Sequence, residues 1–525
     1  MTPTDLARDL ASRWPREVHE RVDARRPLVE VTCPPARLVD VCRYLFVDRA
    51  FSFAGLVVEE AGDTFELRYL FHGSRGEPWA HVVVIVPAND PRVPTIVQPV
   101  HAADWHEREA EDLFGVIFDG HPRLGDFVLH DDAWQEGVAP MRHRFDARAS
   151  VVERRPNTDW RPHRVVETPG AFVMPIGPVF AGQAESAHFD LETVGEDVIR
   201  ALPRLFYKYR GIEKIAEGQP VDRVLLLAER FAATTAFAHG WAYSRAIEQI
   251  AGAVVPARAE ALRVFIAELE RFRHHVGAIH AICESTALVV AASQTAMLEE
   301  DLLRVSGALT GHRYLFGLVV PGGLTIDIAD DACRAALARC EVVLRALNDV
   351  ERLLQFSSSF LDRLEEVGII AEADAREAGL VGPMARASGI ARDLRKVLPY
   401  AGYDRMTFVV PTEREGDGYA RLRVLFAEAR QSVALMAQLA TLPSGPHAVH
   451  VSPRAGAAVG VVEAPRGATF HWVRLEADGR VSRYRVVSPS FVNWLGFHLA
   501  VERFAFQDFP IILSTLDLSV AETDR

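Results

Sequence analysis

The segment AERFAATTAFAH, residues 228–239, places an arginine and a histidine at the two ends of a predicted helical stretch. Arg230 and His239 lie nine positions apart, which is about two and a half turns of a helix. A guanidinium group binds anions, and an imidazole group can move a proton near neutral pH. Between Arg230 and Phe237 the stretch carries no carboxylate, thiol or imidazole group. Its middle therefore supplies no group for metal binding or proton transfer.

A second histidine, His188 in ESAHFDL, follows a predicted turn between two strands. Its imidazole suits proton delivery to a small oxidant. A hydrogen-bonded structural histidine in a hairpin is the alternative. The spacing of the sequence alone leaves both interpretations open.

The composition excludes several function classes. The formal charge of −13 argues against nucleic-acid binding, which needs a basic surface. None of the five cysteines forms a C-x-x-C pair, so we predict buried thiols in a reducing compartment and no metal site. The sequence contains neither the G-x-G-x-x-G spacing nor the P-loop spacing of nucleotide-binding proteins, so we predict no nucleotide site. The sequence predicts no signal peptide and no membrane span, and we expect a cytoplasmic protein or one bound to a membrane through partners.

The pattern of apolar residues predicts an α+β protein. An α/β domain covers 1–146, a polar linker covers 147–170, and a mainly helical bundle with β-hairpins covers 171–525. In the first domain we expect helices near 3–24, 35–47 and 104–115, a hairpin with a Gly-Asp turn near 55–73, and a buried strand in PWAHVVVIVP. In the second we expect a hairpin pair over 172–198, a hairpin with an Asp-Gly turn near 459–487, and helices near 196–217, 222–252, 258–292, 294–309, 329–366 and 416–442.

Two groups of motifs resemble a known family. ADWHEREAEDLFGVIFDGHPRLGDFVLHDDAW, followed by APMRHRFD, resembles the C-type subunits of NADH–quinone oxidoreductase, the respiratory complex I. IGPVFAGQAESAHFDL, YRGIEKIAEG, FAHGWAYSRAIEQIAG and PRGATFHWVRLEADGRVSRYRV resemble its D-type subunits and the related large subunits of membrane-bound [NiFe] hydrogenases, such as formate hydrogenlyase. The resemblance implies a docking domain followed by a hydrogenase-like large-subunit fold.

The resemblance also shows which ligands are lost. The hydrogenase motif R-x-C-x-x-C-x-F-A-H has Ala232 and Thr235 here in place of its cysteines, and Ser519 and Glu522 stand where a C-terminal cysteine pair is expected. Nickel and iron in such a site need soft thiolate ligands. We therefore predict that the chain holds no nickel–iron centre.

The complex I pattern is altered as well. That family carries R-x-D-Y on the same helix, and its tyrosine binds the quinone headgroup, whereas this chain has Ala233 at that position. His188 is the best match to the other quinone-binding residue, a histidine. The resemblance further implies that Glu213 lies on a proton path, that His239 and Arg230 face an iron–sulfur subunit, and that Arg466 approaches the old active site. For Glu213, an ion pair with Arg210 or Lys214 is the alternative. For His239, a hydrogen-bonded core histidine is the simpler alternative.

By this resemblance the chain is a core subunit of a complex I-like or hydrogenase-related oxidoreductase, peripheral to the cytoplasmic face of the inner membrane. We expect a small iron–sulfur subunit and antiporter-like membrane subunits as partners. Quinone is a possible ligand, the iron–sulfur cluster would lie on the partner, and NAD would be used only by another subunit. A catalytically inactive scaffold is the alternative, and a hydrogenase is the third interpretation.

Overall fold

The N-terminal part is built on a mixed five-stranded sheet. The computed structural model describes residues 1–23, 26–135, 137–146, 166–180, 185–439 and 441–525. The predicted linker 147–170 lies largely outside these ranges. The first elements are α1 (Pro3–Arg13), β1 (His19–Val22), β2 (Leu28–Thr32), α2 (Pro35–Arg43), β3 (Ser52–Ala61), β4 (Thr64–His72), β5 (Trp79–Pro87), β6 (Arg92–Pro94), α3 (Asp104–Phe114) and β7 (Ile117–Asp119). The sheet order is β1-β2-β5-β4-β3, in which only β2 and β5 pair in parallel.

The larger part of the chain combines hairpins with long packed helices. Its first half contains β8 (Ala171–Ile176), β9 (His188–Val194), β10 (Asp197–Arg204), α4 (Ile212–Ala216), α5 (Val221–Arg230), α6 (Ala236–Ala251), α7 (Ala257–Ser285), α8 (Val289–Thr310), β11 (Val319–Val320), β12 (Gly323–Leu324) and α9 (Asp330–Gln355). Its second half contains α10 (Ser358–Leu361), α11 (Glu372–Glu377), α12 (Gly382–Ala387), α13 (Leu394–Val397), α14 (Gly418–Ala437), β13 (Gly456–Ala464), β14 (Gly467–Leu475), β15 (Val481–Val487), α15 (Pro489–Asn493), α16 (Phe497–Val501), α17 (Phe509–Leu516) and α18 (Val520–Asp524). Within the described ranges, no helix is both long and apolar enough to cross a membrane.

The predicted hairpins are confirmed, but several predicted helices differ from the observed ones in extent or type. β3 pairs with β4, β8 with β9, β9 with β10, and β14 with β15. The helix predicted over 3–24 ends at Arg13, because Trp14 precedes a proline and leaves the helical region with φ −132°. The helix predicted over 196–217 is strand β10 followed by the short α4, because Gly211 at φ +64° starts a new helix there.

The other long helices are confirmed in type, with corrected ends. α7 ends at Ser285 rather than near 292, since Ala287 adopts a left-handed backbone at φ +59°. α9 ends at Gln355 rather than near 366, and a separate short helix, α10, follows it. The helix predicted over 222–252 is interrupted after Arg230, and this break lies in the candidate site described below.

Charged contacts join the two parts of the chain. Glu59 on β3 binds Arg474 on β14 at 2.6 Å. Glu109 on α3 binds both Arg485 and Arg525 at 2.6 Å, and all three side chains are buried. Arg483 donates to the Val58 carbonyl at 3.0 Å. These contacts fix the N-terminal sheet against β15 and the C-terminal tail.

Helix α6 packs directly on strand β13, and a glycine allows this approach. A side chain at Gly460 would overlap the Ala242 carbonyl oxygen and lie 2.7 Å from the Ala246 nitrogen. Protein interiors are densely packed, so backbone this close leaves no room for a methyl group. Gly460 therefore sets the distance between α6 and the sheet that carries His471.

We expect Gly460→Ala to lower the free energy of unfolding by about 3 kcal/mol, because α6 must move away from β13. The control is Gly307→Ala on α8, where the nearest atom lies 3.6 Å from the new methyl group. That change should raise stability by about 0.5–1 kcal/mol through helix propensity. Urea unfolding of the two variants measures both effects, and equal stabilities would contradict the packing argument.

Candidate functional site

The break between α5 and α6 is built by residues of α7. Glu270 accepts hydrogen bonds from the backbone nitrogens of Phe237 (2.8 Å) and Ala238 (3.0 Å), which starts a new helix at that point. Arg273 donates to the carbonyl oxygen of Thr234. The predicted single helix is therefore wrong here, because buried side chains from α7 satisfy the backbone groups that a continuous helix would pair.

The break places Arg230 and His239 on different helices. The Arg230 side chain is 56% exposed, and its guanidinium lies 5.8 Å from the ring centre of Phe316. His239 is completely buried and packs edge-on against Phe231. Arg230 therefore lies at the surface on α5, and His239 lies inside the protein on α6.

The C-terminal tail meets His239 in the interior. Glu522, at a lost cysteine position, lies with Oε1 2.9 Å from Nε2 of His239. Ser490 donates to the second oxygen of the same carboxylate. Ser519, at the other lost position, hydrogen-bonds to Glu185 at 3.1 Å. The residues that replace the tail cysteines thus have protein partners of their own.

Arg466 connects the tail to the helix break. Its Nη1 donates to the Thr234 hydroxyl at 3.2 Å and lies 3.9 Å from the Glu522 carboxylate. Its Nε donates to the Asp517 carbonyl at 2.8 Å, and its Nη2 pairs with the Asp517 carboxylate at 3.2 Å. His274 on α7 lies 2.7 Å from the other Asp517 oxygen. Arg466 thus lies beside the lost ligand positions, where the family resemblance places it.

The ionisation states of this cluster follow from its contacts. Burial raises the pKa of Glu522, but the His239 hydrogen bond and the Arg466 charge outweigh it, so the pKa lies below its usual value. Burial opposes ionisation of Asp517 too, and Arg466 still holds the pKa of that carboxyl far below its usual range. Burial lowers the pKa of His274 to about 4. A neutral His274 therefore donates its Nε2 hydrogen to an ionised Asp517.

A chain of hydrogen bonds runs inward from Glu522. Nδ1 of His239 lies 3.1 Å from Nε2 of His471, whose Nδ1 lies 2.9 Å from the Tyr484 hydroxyl. Burial lowers the pKa of His471 well below its usual value, so this ring is neutral. These three contacts fit one set of donors, in which Tyr484 donates to His471, His471 to His239, and His239 to Glu522. The Thr469 hydroxyl lies 3.2 Å from the same Nδ1 of His239. The chain orients His239 toward the carboxylate.

His188 lies at the start of β9 and is bound within its own hairpin. Its Nε2 lies 3.0 Å from the Asp190 carboxylate, and its Nδ1 lies 3.2 Å from the Gly177 carbonyl oxygen. The hydrogen bond to Asp190 raises the pKa of His188, although partial burial opposes it. Both ring nitrogens face acceptors, which favours the imidazolium form and leaves neither nitrogen free for another partner in this conformation.

Glu213 is buried at the junction of the two parts of the chain. Its carboxylate lies 3.2 Å from Arg485 and 3.3 Å from both Arg483 and Arg525. Burial raises the pKa of Glu213, but the three guanidinium groups outweigh it, so the pKa lies below its usual value. This environment keeps the carboxylate ionised.

The neighbours proposed from sequence do not pair with Glu213. Lys214 binds Glu217 at 2.7 Å, and Arg210 donates to the Phe231 carbonyl at 3.1 Å. Glu213 does form ion pairs, as the alternative predicts, but its partners are Arg483 and Arg485 of β15 and Arg525 of the tail. They are not the predicted neighbours in the sequence. Short sequence spacing could not reveal contacts that span more than 250 residues.

Sequence reasoning missed several residues of the site, among them Thr234, His471, Glu185, His274 and Asp517. Asp517 comes just before the segment in which the resemblance places the C-terminal cysteine pair, so the sequence did offer a signal for this residue. Glu185 and His274 carried none, because they reach the cluster only through the fold.

The donor set does not fit a nickel–iron centre. Ala232 offers no ligand, and the Thr235 hydroxyl is buried and turned to the Ala232 carbonyl at 3.4 Å. Glu522 is an oxygen donor already bound to His239 and Ser490. Burial raises the pKa values of the cysteine thiols, which lie elsewhere in the core. No thiolate can reach the position where such a metal would need it.

The fold and this cluster together define a large subunit of the hydrogenase and complex I type. Residues 31–151 match the family described as the respiratory-chain NADH dehydrogenase 30 Kd subunit, and residues 289–454 and 447–525 match the 49 Kd subunit. The chain belongs to the family that comprises the fused C/D subunits of NADH–quinone oxidoreductase and their membrane-bound hydrogenase relatives.

Named relatives come from both branches. Formate hydrogenlyase subunit 5 of Escherichia coli (strain K12) is 32% identical over 85% of this chain and 79% of the relative. The C/D subunit of NADH-quinone oxidoreductase from Bdellovibrio bacteriovorus is 26% identical over 82% of this chain and 83% of the relative. A chain from the structure of the membrane-bound sulfane sulfur reductase, an archaeal respiratory membrane complex, aligns with a TM-score of 0.63 and 28% identity over 68% of this chain and 99% of that one.

The ionised Glu522 makes stability depend on pH. Its native pKa lies below the unfolded value of about 4.3. Its contribution is therefore complete above the unfolded pKa and is lost as pH falls through the native pKa. We expect Glu522→Gln to unfold more easily at pH 7 and to lose part of the acid sensitivity seen between about pH 5 and pH 3. Thermal unfolding of the wild type and the variant across this pH range measures the difference. Melting temperatures that fall in parallel with pH in both proteins would refute the prediction.

Loss of the Glu213 charge should be costly, because three buried guanidinium groups would lose their shared carboxylate. We expect Glu213→Gln to lower the free energy of unfolding by about 3–5 kcal/mol. The matched control is Glu372→Gln, which removes an exposed pair with Arg376 and should change little. Urea unfolding measures both variants, and equal free energies of unfolding for them would contradict a structural role for Glu213.

Proposed function

We propose that the chain is a core peripheral-arm subunit of a membrane-associated complex related to complex I. In this assembly it forms one wall of an electron-acceptor cavity and carries no redox centre of its own. The observation that supports this proposal is that Glu522, at a position where the resemblance to hydrogenases expects a cysteine, is bound by Arg466 and His239.

The proposed partners are inferred from the family. Electrons would arrive from the cluster of a small iron–sulfur subunit, which packs against this chain at the cavity. Antiporter-like membrane subunits would hold the complex on the cytoplasmic face of the inner membrane. Any use of NAD would take place on another subunit.

Two polar side chains, those of Thr234 and His188, are proposed to act on a quinone-like acceptor. Thr234 is exposed and accepts a hydrogen bond from Arg466, so its own hydroxyl hydrogen is free to bind a carbonyl oxygen. His188 supplies a proton once Asp190 and Gly177 release it, and its raised pKa keeps that proton available. Ala233 has only a methyl side chain, so it can contribute to the shape of the cavity but cannot form a side-chain hydrogen bond. The proton role proposed for Glu213 is less well supported, because the surrounding arginines oppose its protonation.

The alternative is a scaffold subunit without turnover. The mutual pairing of Glu522, His239, Arg466 and Asp517 favours it, because each of these groups is already bound within the protein. One measurement distinguishes the two proposals. The oxidoreductase proposal predicts that the complex purified with its iron–sulfur partner reduces a soluble quinone, and the scaffold proposal predicts that it does not.

We expect His188→Ala and Thr234→Val to lower the rate of quinone reduction by the purified complex at least about tenfold each. His143→Ala, at a histidine whose side chain is 61% exposed, is the control and should retain the rate. Wild-type rates in both site variants would remove these residues from the mechanism, and absence of turnover in the intact complex would support the scaffold. Stoichiometric nickel in the purified protein would refute the donor-set argument and restore the hydrogenase interpretation.

A further inference from the structure

Two neighbouring cavities lie between the N-terminal sheet and the far end of α6. The first, which we call the polar chamber, has a volume of about 550 Å³, and its charged lining consists of Asp23, Arg26, Arg245, Glu248, Glu260 and Arg454. The second, the apolar chamber, has a volume of about 380 Å³ and is lined mainly by Trp79, Val397, Leu398, Pro399, Val459 and Val461. Arg26, Arg245 and Gln249 line both, so the two chambers adjoin.

Two acidic residues of the polar chamber are already paired. Asp23 binds Arg26 at 2.7 Å. Glu248 binds Arg263 at 2.6 Å and accepts from the Gly322 nitrogen at 2.7 Å. Neither carboxylate is therefore left to neutralise a further cation.

Arg245 is the unusual group. Its guanidinium lies 4.5 Å from the ring centre of Tyr400. Within the described part of the chain, its buried Nε has no hydrogen-bond partner, and no carboxylate lies at ion-pair distance. Burial lowers the pKa of Arg245, although the nearby carboxylates of Glu260 and Glu248 oppose this shift. The Arg245 side chain is half-buried and lines the polar chamber, so an anion in this chamber would supply the partner that the described part of the protein does not.

Arg454 strengthens the positive character of the chamber. It donates Nε to the Ile250 carbonyl at 2.5 Å, which leaves its outer nitrogens for another acceptor. The carboxylate of Glu260, which also lines the chamber, reduces this positive character. Its Oε2 is buried without a hydrogen-bond partner in the described ranges and lies 3.9 Å from Arg263. Burial raises the pKa of Glu260, which weakens this opposition.

We propose that the two chambers bind a small amphipathic anion, with its carboxylate or phosphate group on Arg245 and Arg454 and its apolar body against Trp79, Leu398 and Val459. Arginine presents a planar set of donors that matches either anionic group. The combined space is in the range of small-molecule sites, which are mostly apolar with a few oriented polar groups. This site lies apart from His239 and Arg466 and does not depend on the function proposed above.

The direct test is isothermal titration of the full-length chain with octanoate, octyl phosphate and octanol. Binding of octanoate alone assigns a carboxylate ligand, and binding of octyl phosphate alone assigns a phosphate. Binding of both supports the shared anionic chemistry. Failure of both anions to bind, or equal affinity for octanol, would overturn the proposal.

Charge variants test the geometry. Arg245→Gln should weaken binding of the favoured anion at least about tenfold, whereas Glu260→Gln should strengthen it by removing a like charge. Arg304→Gln is the control, since this arginine pairs with Glu300 on the exposed side of α8. Unchanged affinity in Arg245→Gln, or weaker binding in Glu260→Gln, would refute the assignment.

A measurement without ligand adds an independent check. If Arg245 is kept for binding, its replacement by an uncharged residue of similar size should not destabilise the free protein. We expect Arg245→Met to melt at the same or a higher temperature than the wild type, and octanoate or octyl phosphate to raise only the wild-type melting temperature. A lower melting temperature of the free variant would assign Arg245 a structural role instead.

Discussion

Pairing of buried charges between distant parts of the sequence is the constraint on which this structure depends. Glu213 and Glu109 bind arginines of β15 and of the C-terminal tail, and these contacts seat the tail beside α4 and α3. Once the tail is seated, Glu522 reaches His239. A buried ion without its partner is strongly destabilising, so the fold and the candidate site form together.

At positions where the resemblance to hydrogenases expects thiolate ligands, the structure has oxygen groups bound by nitrogen and oxygen donors. A carboxylate in place of a thiolate needs positive charge and hydrogen-bond donors, and Arg466, His239 and Ser490 supply them. Asp517 in turn balances Arg466. Where the resemblance to hydrogenases expects a metal centre, the structure has a compact ionic cluster with Thr234 at its exposed edge.

Apolar periodicity was sufficient for the hairpins and for the existence of α7, α8, α9 and α14, because these elements bury regular faces. It failed at the α5–α6 break and at β10, where the outcome depends on Glu270 and on pairing with β9. Among the site residues, Arg466, His239 and the replaced cysteine positions could be predicted from local motifs. Glu185 and His274 could not, because their partners lie hundreds of residues away and only the folded chain brings them together.

Helix α6 carries His239 near its first turn and Arg245 almost two turns later. Glu270 fixes its start, and Gly460 brings its flank against β13, so the helix has little freedom to bend between the two. His239 and Arg245 are therefore carried by one short stretch of a single helix, and a displacement of α6 would move both side chains together.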